Sequence, residues 1–324
     1  MRQNIVSIVI PVFNEAESLP LLYRRLSHAL ESVEDIEYEI LMIDDGSRDH
    51  SWDVIGDLRE ADSRVKGVRF SRNFGHQAAV TAGFRYAVGD AVITMDSDLQ
   101  HPPEMLPAMI ERWRMGYDVV SMVRETVEHE GFFKSTTSRW FYRVINSVSE
   151  VPIKSGVADF RLLDRRVVRK LNSLKERGRF VRGLISWVGF RETELRYQPQ
   201  PRIAGESKYS LGKMVHLAMD GISSFSTAPL RLSLFLGVAA NMICVALVGY
   251  VVYNKLMENK DLTEWASTFL TMLFLSGVQL LMIGVLGVYV GRIFEEVKGR
   301  PAFIAEEELG TSLKLRKRRR IATV

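Results

Sequence analysis

The segment ITMDSDLQHPPE, residues 93–104, is an apolar run that ends in two carboxylates one residue apart, Asp96 and Asp98, followed by Gln100 and a pair of prolines. Two like charges repel at this spacing, and a purely structural turn gains nothing from the repulsion unless a cation lies between them. With the amide oxygen of Gln100 they form a set of hard oxygen donors of the kind Mg2+ or Mn2+ takes, leaving coordination positions for water and phosphate. A second acidic pair, Asp44 and Asp45 in DDGS, can accept hydrogen bonds from a base or a ribose, and Gly46 behind it allows a turn conformation that other residues avoid. The same residues also read as an Asx-type turn capping a helix at Ser51. No Walker glycine-lysine loop and no G-x-G-x-x-G occurs in the chain, so phosphates here would be held mainly by the metal and by arginines.

These residues need elements to position them. Short runs rich in Val and Ile recur at 6–11, 38–43, 65–70, 91–95 and 118–122, separated by helical periodicity at 16–30, 51–60, 77–88 and 104–114. Alternating strand and helix with near-continuous apolar strands predicts an α/β fold with a mostly parallel sheet covered on both faces. Ligands bind such sheets beyond the carboxyl ends of the strands. That is where PVFNE, DDGS, SRNFG, DSDLQ and VRE fall, one after each strand, so they describe the rim of one site. Beyond residue 156 the pattern is less regular, with VADFRLLDRRVVRKL reading as a short strand into a helix and QPQPRIAGESKY as a loop.

The chain has 324 residues, 47% of them hydrophobic and 25% charged, which fits a globular class and argues against disorder. The average conceals a split, because charges vanish over 232–254 and again over 265–291. Each run exceeds the ~20 residues a bilayer-crossing helix needs, so two transmembrane helices are expected. The loop between them, 255–264, carries two lysines against three acids, whereas Arg231, Arg292, Lys298, Arg300 and the terminal KLRKRRR flank the outside. Positive flanks stay on the cytoplasmic side, which predicts both termini and the domain before the apolar runs in the cytoplasm, on the inner (plasma) membrane. The single cysteine, Cys244, lies inside the first apolar run and excludes a disulfide framework or cysteine metal site within one chain. The net charge of +4 is weighted to the tail, and a basic tail on a membrane protein points to anionic headgroups rather than to nucleic acid. A basic, aromatic helix over 133–149 suits the membrane interface. Gly284, Gly287 and Gly291 permit close helix packing, within one chain or between two copies.

IVIPVFNE, LMIDDGSRD, SRNFGHQAA, MDSDLQHPPE, ADFRLLDRR and GESKYSLGKM, in this order, resemble the family 2 inverting glycosyltransferases of the GT-A fold. The resemblance is greatest to their membrane-bound polyprenyl-phosphate branch, which takes in dolichol-phosphate mannose synthase and the bactoprenol glucosyltransferases. It implies that Pro11, Glu15, Asp44 and Asp45 line the nucleoside pocket, and that Asp96, Asp98 and Gln100 hold the divalent metal on the diphosphate of a nucleotide sugar. Asp159 would be the catalytic base, while Arg124, Arg139, Ser207 and Lys208 would receive the phosphate of a polyprenyl acceptor. The Q-x-x-R-W motif of processive synthases is missing, which favours single sugar transfer. His76 stands where relatives often carry lysine, and its role is open. Domain boundaries follow: a GT-A domain over 1–228, two membrane helices over 229–294 and a basic tail over 295–324. UDP-glucose is the expected donor, with GDP-mannose, UDP-N-acetylglucosamine or a UDP-aminoarabinose as alternatives, and a non-catalytic membrane scaffold as the reading from another class.

Overall fold

The computed structural model describes residues 3–125, 157–174, 176, 180–198 and 264–311, with residues 230, 233–240, 242–243, 246, 249 and 253 between. Chain contacts divide it into two compact units. One comprises residues 1–146, 151–211 and 301–324, and the other residues 147–150 and 212–300.

The first unit is built on an eight-stranded sheet: β1 (Asn4–Val12), β2 (Ile36–Asp44), β3 (Val65–Phe70), β4 (Ala91–Thr94), β5 (Val119–Arg124), β6 (Val157–Asp164), β7 (Glu192–Tyr197) and β8 (Ala305–Leu309), in the spatial order β7-β5-β6-β4-β1-β2-β3-β8. β1 pairs in parallel with β2 and β4, β2 with β3, and β5 with β7, whereas β6 is antiparallel to both β4 and β5, and β8 is antiparallel to β3. The five strands expected from the sequence therefore run the same way, and their carboxyl ends share one edge. Because β6 is reversed, its amino end reaches that same edge.

β1 is buried over its last seven residues, as a central strand covered on both faces must be. α1 (Leu19–Glu31) buries Leu19, Leu22, Leu26, Ala29 and Leu30, one face of a 3.6-residue period, and these leucines join Leu106, Met109 and Ile110 of α4 (Leu106–Arg114) in the core. A 3-10 turn at Pro103–Met105 leads into α4. α2 (Ser51–Ala61) follows the DDGS turn. α3 (His76–Tyr86) lies so near β1 that a Cβ at Gly83 would sit 2.0 Å from Val9 Cγ1; only glycine permits this approach. α5 (Arg165–Ser173) is capped by the Asp164 carboxylate accepting from the Arg166 amide, and α6 (Val181–Val188) ends at Gly189 in the left-handed region.

Three features depart from the sequence reading. β7 and α6 lie in the stretch read as irregular; their runs are short, and β7 alternates too weakly to stand out as a strand. The segment 295–324, expected to be a basic tail, supplies β8, which closes the edge of the sheet. Its run of acids hides a strand whose partners are β3 and, through Phe303 stacked 5.0 Å from Phe70, the core beside it. KLRKRRR lies outside the described residues.

In the second unit α7 (Glu264–Val297) contains the second apolar run. Within its part Phe274–Val297 an 18-residue window has a mean hydropathy of 1.9 and none of that window is buried; among the described residues this is the one helix long and apolar enough to cross a membrane. Of the first apolar run, residues 233–240, 242–243, 246, 249 and 253 are described. Where residues 233–240 are described they are helical, and a Cβ at Gly237 would come within 2.8 Å of Met282 on α7.

Candidate active site

Each loop at the carboxyl edge is locally self-bracing. In DDGS, Asp44 Oδ1 accepts from the Ser47 amide (2.9 Å), the Asx turn that its sequence allows. Gly46, at φ 69°, backs onto the third loop, where a Cβ would lie 2.5 Å from the carbonyl carbon of Arg72. Ser47 Oγ accepts from the Asn14 amide (3.0 Å), Asn14 Oδ1 from the Arg48 amide (2.8 Å), and Ser51 Oγ from the Glu15 amide (2.9 Å). The PVFNE and DDGS loops are thus sewn together. Pro11 lies at the end of β1 opposite Ile43, and Glu15 Oε2 accepts from Ser18 Oγ (3.0 Å). Ahead of α2, whose N-cap residue His50 makes no side-chain capping bond, Asp49 Oδ1 takes both the amide and hydroxyl of Ser51 (3.1 and 2.6 Å).

Asp44 and Asp45 are both buried. Asp45 accepts from the amides of Phe74 (2.7 Å) and Gly75 (2.9 Å to Oδ2), so it anchors the RNFG loop. Burial pushes both carboxyls up; the bonds to Ser47 and the Arg69 guanidinium pull Asp44 back, and the Phe74 and Gly75 amides do the same for Asp45.

At the end of β4 the chain turns through Asp96, Ser97, Asp98, Leu99 and Gln100. Ser97 and Leu99 are buried, and Leu99 adopts φ 62°, a conformation that costs a branched residue about 1–3 kcal/mol. This alternation turns Asp96, Asp98 and Gln100 to the outside of the turn. Asp98 Oδ1 accepts from the Gln100 amide (3.1 Å). The Asp96 amide donates to His101 Nδ1 (3.0 Å), and the His101 ring stacks on Phe160 at 5.1 Å with Tyr197 edge-on to it. His76, at the first position of α3, brings Nε2 to 3.0 Å from Asp96 Oδ1. Burial would raise the Asp96 carboxyl, but His101, His76 and Arg182 together hold it well below the usual carboxylate range. An ionised Asp96, with Asp98 and the Gln100 amide, is a donor set whose chemistry fits a hard divalent cation.

Asp159, at the amino end of reversed β6, is joined to this turn by its carbonyl, which accepts from Thr94 Oγ1 (2.7 Å). Arg182 of α6 grips its carboxylate, Nε at 3.2 Å from Oδ1 and Nη2 at 3.0 Å from Oδ2. Against the cost of burial, Arg182 and then His76 keep the Asp159 carboxyl below its ordinary value; burial likewise opposes the charged form of His76, but its pairing with Asp96, aided by Asp159, outweighs that and lifts the imidazole above its ordinary value. Arg161, two residues along β6, is buried, and burial pushes its guanidinium down to about 10 while Asp159 pulls the other way. The Val181 amide donates to Gln77 Oε1 (3.0 Å), which ties the start of α6 to the start of α3 and so Arg182 to His76.

Arg124 ends β5 at the same edge, exposed, opposite Tyr197 of β7. Arg139, Ser207 and Lys208 lie outside the described residues, as does the helix expected over 133–149. The structure adds Arg182, His101, Arg161 and Gln77, none of which the sequence singled out. For Arg182 the only signal was one charge inside the otherwise uncharged VRGLISWV.

The family model described as glycosyl transferase family 2 matches residues 7–171, which carry β1 through β6 and the acidic turns. The uncharacterized glycosyltransferase YkcC of Bacillus subtilis (strain 168) is 43% identical over 304 residues, 94% of each chain. The bactoprenol glucosyl transferase of Shigella phage SfV is 40% identical over 303 residues, 94% of this chain and 98% of that protein. Among solved structures, the glucosyl-3-phosphoglycerate synthase of Mycobacterium tuberculosis is similar with a TM-score of 0.45 at 15% identity, over 68% of this chain and 78% of that one. A sheet with its acidic loops at one edge, matched over those same loops by the family model and over nearly the whole chain by its relatives, establishes that this protein belongs to glycosyl transferase family 2.

Proposed function

We propose that the protein transfers a single glucose, with inversion, from UDP-glucose to undecaprenyl phosphate or a similar polyprenyl phosphate at the cytoplasmic face of the membrane. The product would be a polyprenyl-phosphate sugar for cell-envelope glycans. The observation that carries this reading is the meeting, at one sheet edge, of the Asp96-Asp98 turn with the Asp159-Arg182 pair. The bactoprenol glucosyl transferases similar over nearly the full chain support the lipid acceptor and the hexose. α7, apolar and unburied, supports a membrane location.

Asp96, Asp98 and Gln100 would hold Mg2+ or Mn2+, which supplies charge to stabilise the departing nucleoside diphosphate. Pro11, Glu15 and the DDGS turn wall the nucleoside, with Asp44 and Asp45 bracing that wall. His76 lies beside Asp96, where its raised protonation favours anionic oxygens. A phosphate monoester has a second pKa near 6, so the acceptor oxygen is largely deprotonated at neutral pH and proton removal is a small task. Asp159, ionised and fixed by Arg182, then serves to orient the attacking acceptor more than to take a proton. Arg124, Arg139, Ser207 and Lys208 would receive the acceptor phosphate, since guanidinium forks match its oxygens.

The test is an assay of purified protein in detergent with undecaprenyl phosphate, Mn2+ and a panel of radiolabelled nucleotide sugars. Glucose from UDP-glucose is expected in the lipid fraction. Transfer from GDP-mannose, UDP-N-acetylglucosamine or a UDP-aminoarabinose instead would replace the donor. No transfer from any donor, together with no thermal shift on adding UDP and Mn2+, would leave a membrane scaffold.

A further inference from the structure

Asp44, Arg69 and Glu307 stand side by side on β2, β3 and β8: Asp44 is the register partner of Arg69, and Arg69 that of Glu307. Residues opposite one another across a ladder share a face, so the row reads negative, positive, negative. Arg69 Nε lies 3.5 Å from Asp44 Oδ2, and its Nη1 donates to Glu307 Oε1 at 3.2 Å. The second oxygen of Glu307 accepts from Trp52 Nε1 of α2 at 3.2 Å, and the Arg69 guanidinium lies 5.9 Å from the centre of the Trp52 ring. Glu307 is thereby held from two sides.

The inner end of the row is the part that reaches the site. Asp44 is fully buried, and its Oδ2 accepts no hydrogen bond from the described residues, which leaves Arg69 to balance that oxygen. A buried carboxylate oxygen without a donor is costly unless a cation stands beside it. The other oxygen, Oδ1, fixes the Ser47 amide, and Ser47 Oγ fixes Asn14. One continuous set of contacts therefore runs from Glu307 through Arg69, Asp44 and Ser47 to the PVFNE loop. Phe303 adds a second brace, stacked on Phe70, whose edge meets Phe74 at 5.8 Å, the residue whose amide holds Asp45.

We propose that Glu307 is a positioning residue for the nucleotide-sugar donor, acting through Arg69 and Asp44 to hold the DDGS and PVFNE loops in their binding shape. The strand that carries it follows α7 in the chain by residues 298–304, so the segment beyond the apolar helix completes the wall of the donor pocket. The proposal rests on the reading of those two loops as the nucleoside wall. Arg69 and Glu307 are 31% and 50% exposed, so solvent screens the pair and its effect is modest.

The test compares Glu307→Gln, which keeps size but not charge, with Glu308→Gln, whose neighbours are Tyr86 and Thr311. Steady-state kinetics with UDP-glucose and undecaprenyl phosphate are combined with equilibrium binding of UDP in the presence of Mn2+. Glu307→Gln is expected to raise the donor KM and the UDP Kd about threefold to fivefold, the scale of one partly exposed ion pair. Its lipid KM and kcat should stay at the parent values, and Glu308→Gln should match the parent throughout. In an Asp44→Asn background the effect of Glu307→Gln should disappear, because the two act through one chain of contacts. A parallel rise in both KM values, or an effect that persists in the Asp44→Asn background, would overturn the proposal. If Asp44→Asn raises the donor KM while Glu307→Gln does not, the proposal fails and the nucleoside wall stands. If Asp44→Asn leaves donor KM and UDP affinity unchanged, the wall assignment fails and takes the proposal with it.

Discussion

Arg182 makes a two-pronged ion pair with Asp159, Nε to Oδ1 at 3.2 Å and Nη2 to Oδ2 at 3.0 Å, joining a helix that begins at residue 181 to the reversed strand beside β4. The pair is about a quarter exposed on each side, open enough for a ligand to approach. Arg182→Ala is expected to lower kcat about 10²-fold, the scale of losing one preorganised donor at a reacting centre. Arg182→Lys should recover only part of it, since an ammonium cannot reproduce the fork. Full activity of Arg182→Ala with unchanged melting would show the pair to be dispensable.

Asp159→Asn keeps size but gives up the charge that Arg182 holds. Because the carboxyl lies below its ordinary value, it is ionised throughout pH 6 to 8 and does not itself titrate there. The acceptor phosphate does, with its second pKa near 6. The rate deficit of Asp159→Asn is therefore expected to shrink as pH rises from about 6 to 8, when the dianion needs no base. A deficit of about a thousandfold that stays constant across the range would assign an indispensable role to the charge itself.

Asp98→Ala removes one hard donor and relieves repulsion with Asp96. The expected outcome is loss of the Mn2+-dependent increase in UDP affinity, read by calorimetry, with metal-free stability equal to or above the parent. Sugar transfer by Asp98→Ala at the parental rate would remove the metal assignment.

Arg124 sits at the exposed end of β5. Arg124→Ala should raise the KM for polyprenyl phosphate more than that for the nucleotide sugar, and Arg139→Ala should behave alike. The opposite ratio would move these arginines to the donor.

Gly83→Ala tests the packing of α3 on β1. Alanine favours a helix over glycine by about 1 kcal/mol, but the added methyl would meet Val9 Cγ1 at 2.0 Å, and Val9 is fully buried and β-branched. Overpacking of this kind costs about 1–3 kcal/mol and should win. A lower urea midpoint at unchanged slope is expected; a midpoint at or above the parent would mean that the strand yields freely.

The first five strands, the helices between them and the placing of the acidic loops were legible in the sequence, because apolar period and turn residues are local properties that burial on both faces enforces. The Asp96-Asp98-Gln100 turn was legible for a related reason: like charges one residue apart at a strand end stand out in the local sequence. The partners of those residues were not. His76 against Asp96, Arg182 against Asp159 and Gln77 against Val181 depend on which loops a sheet of this order brings together, and no spacing encodes that. The reversal of β6 decided that Asp159 lies beside the Asp96-Asp98 turn at all, since a parallel strand would have put its amino end at the opposite edge. β8 shows the same limit most plainly. Residues 305–309 fell within the segment expected to be a basic tail, and only the pairing with β3, Arg69 opposite Glu307 among its partners, makes them a strand.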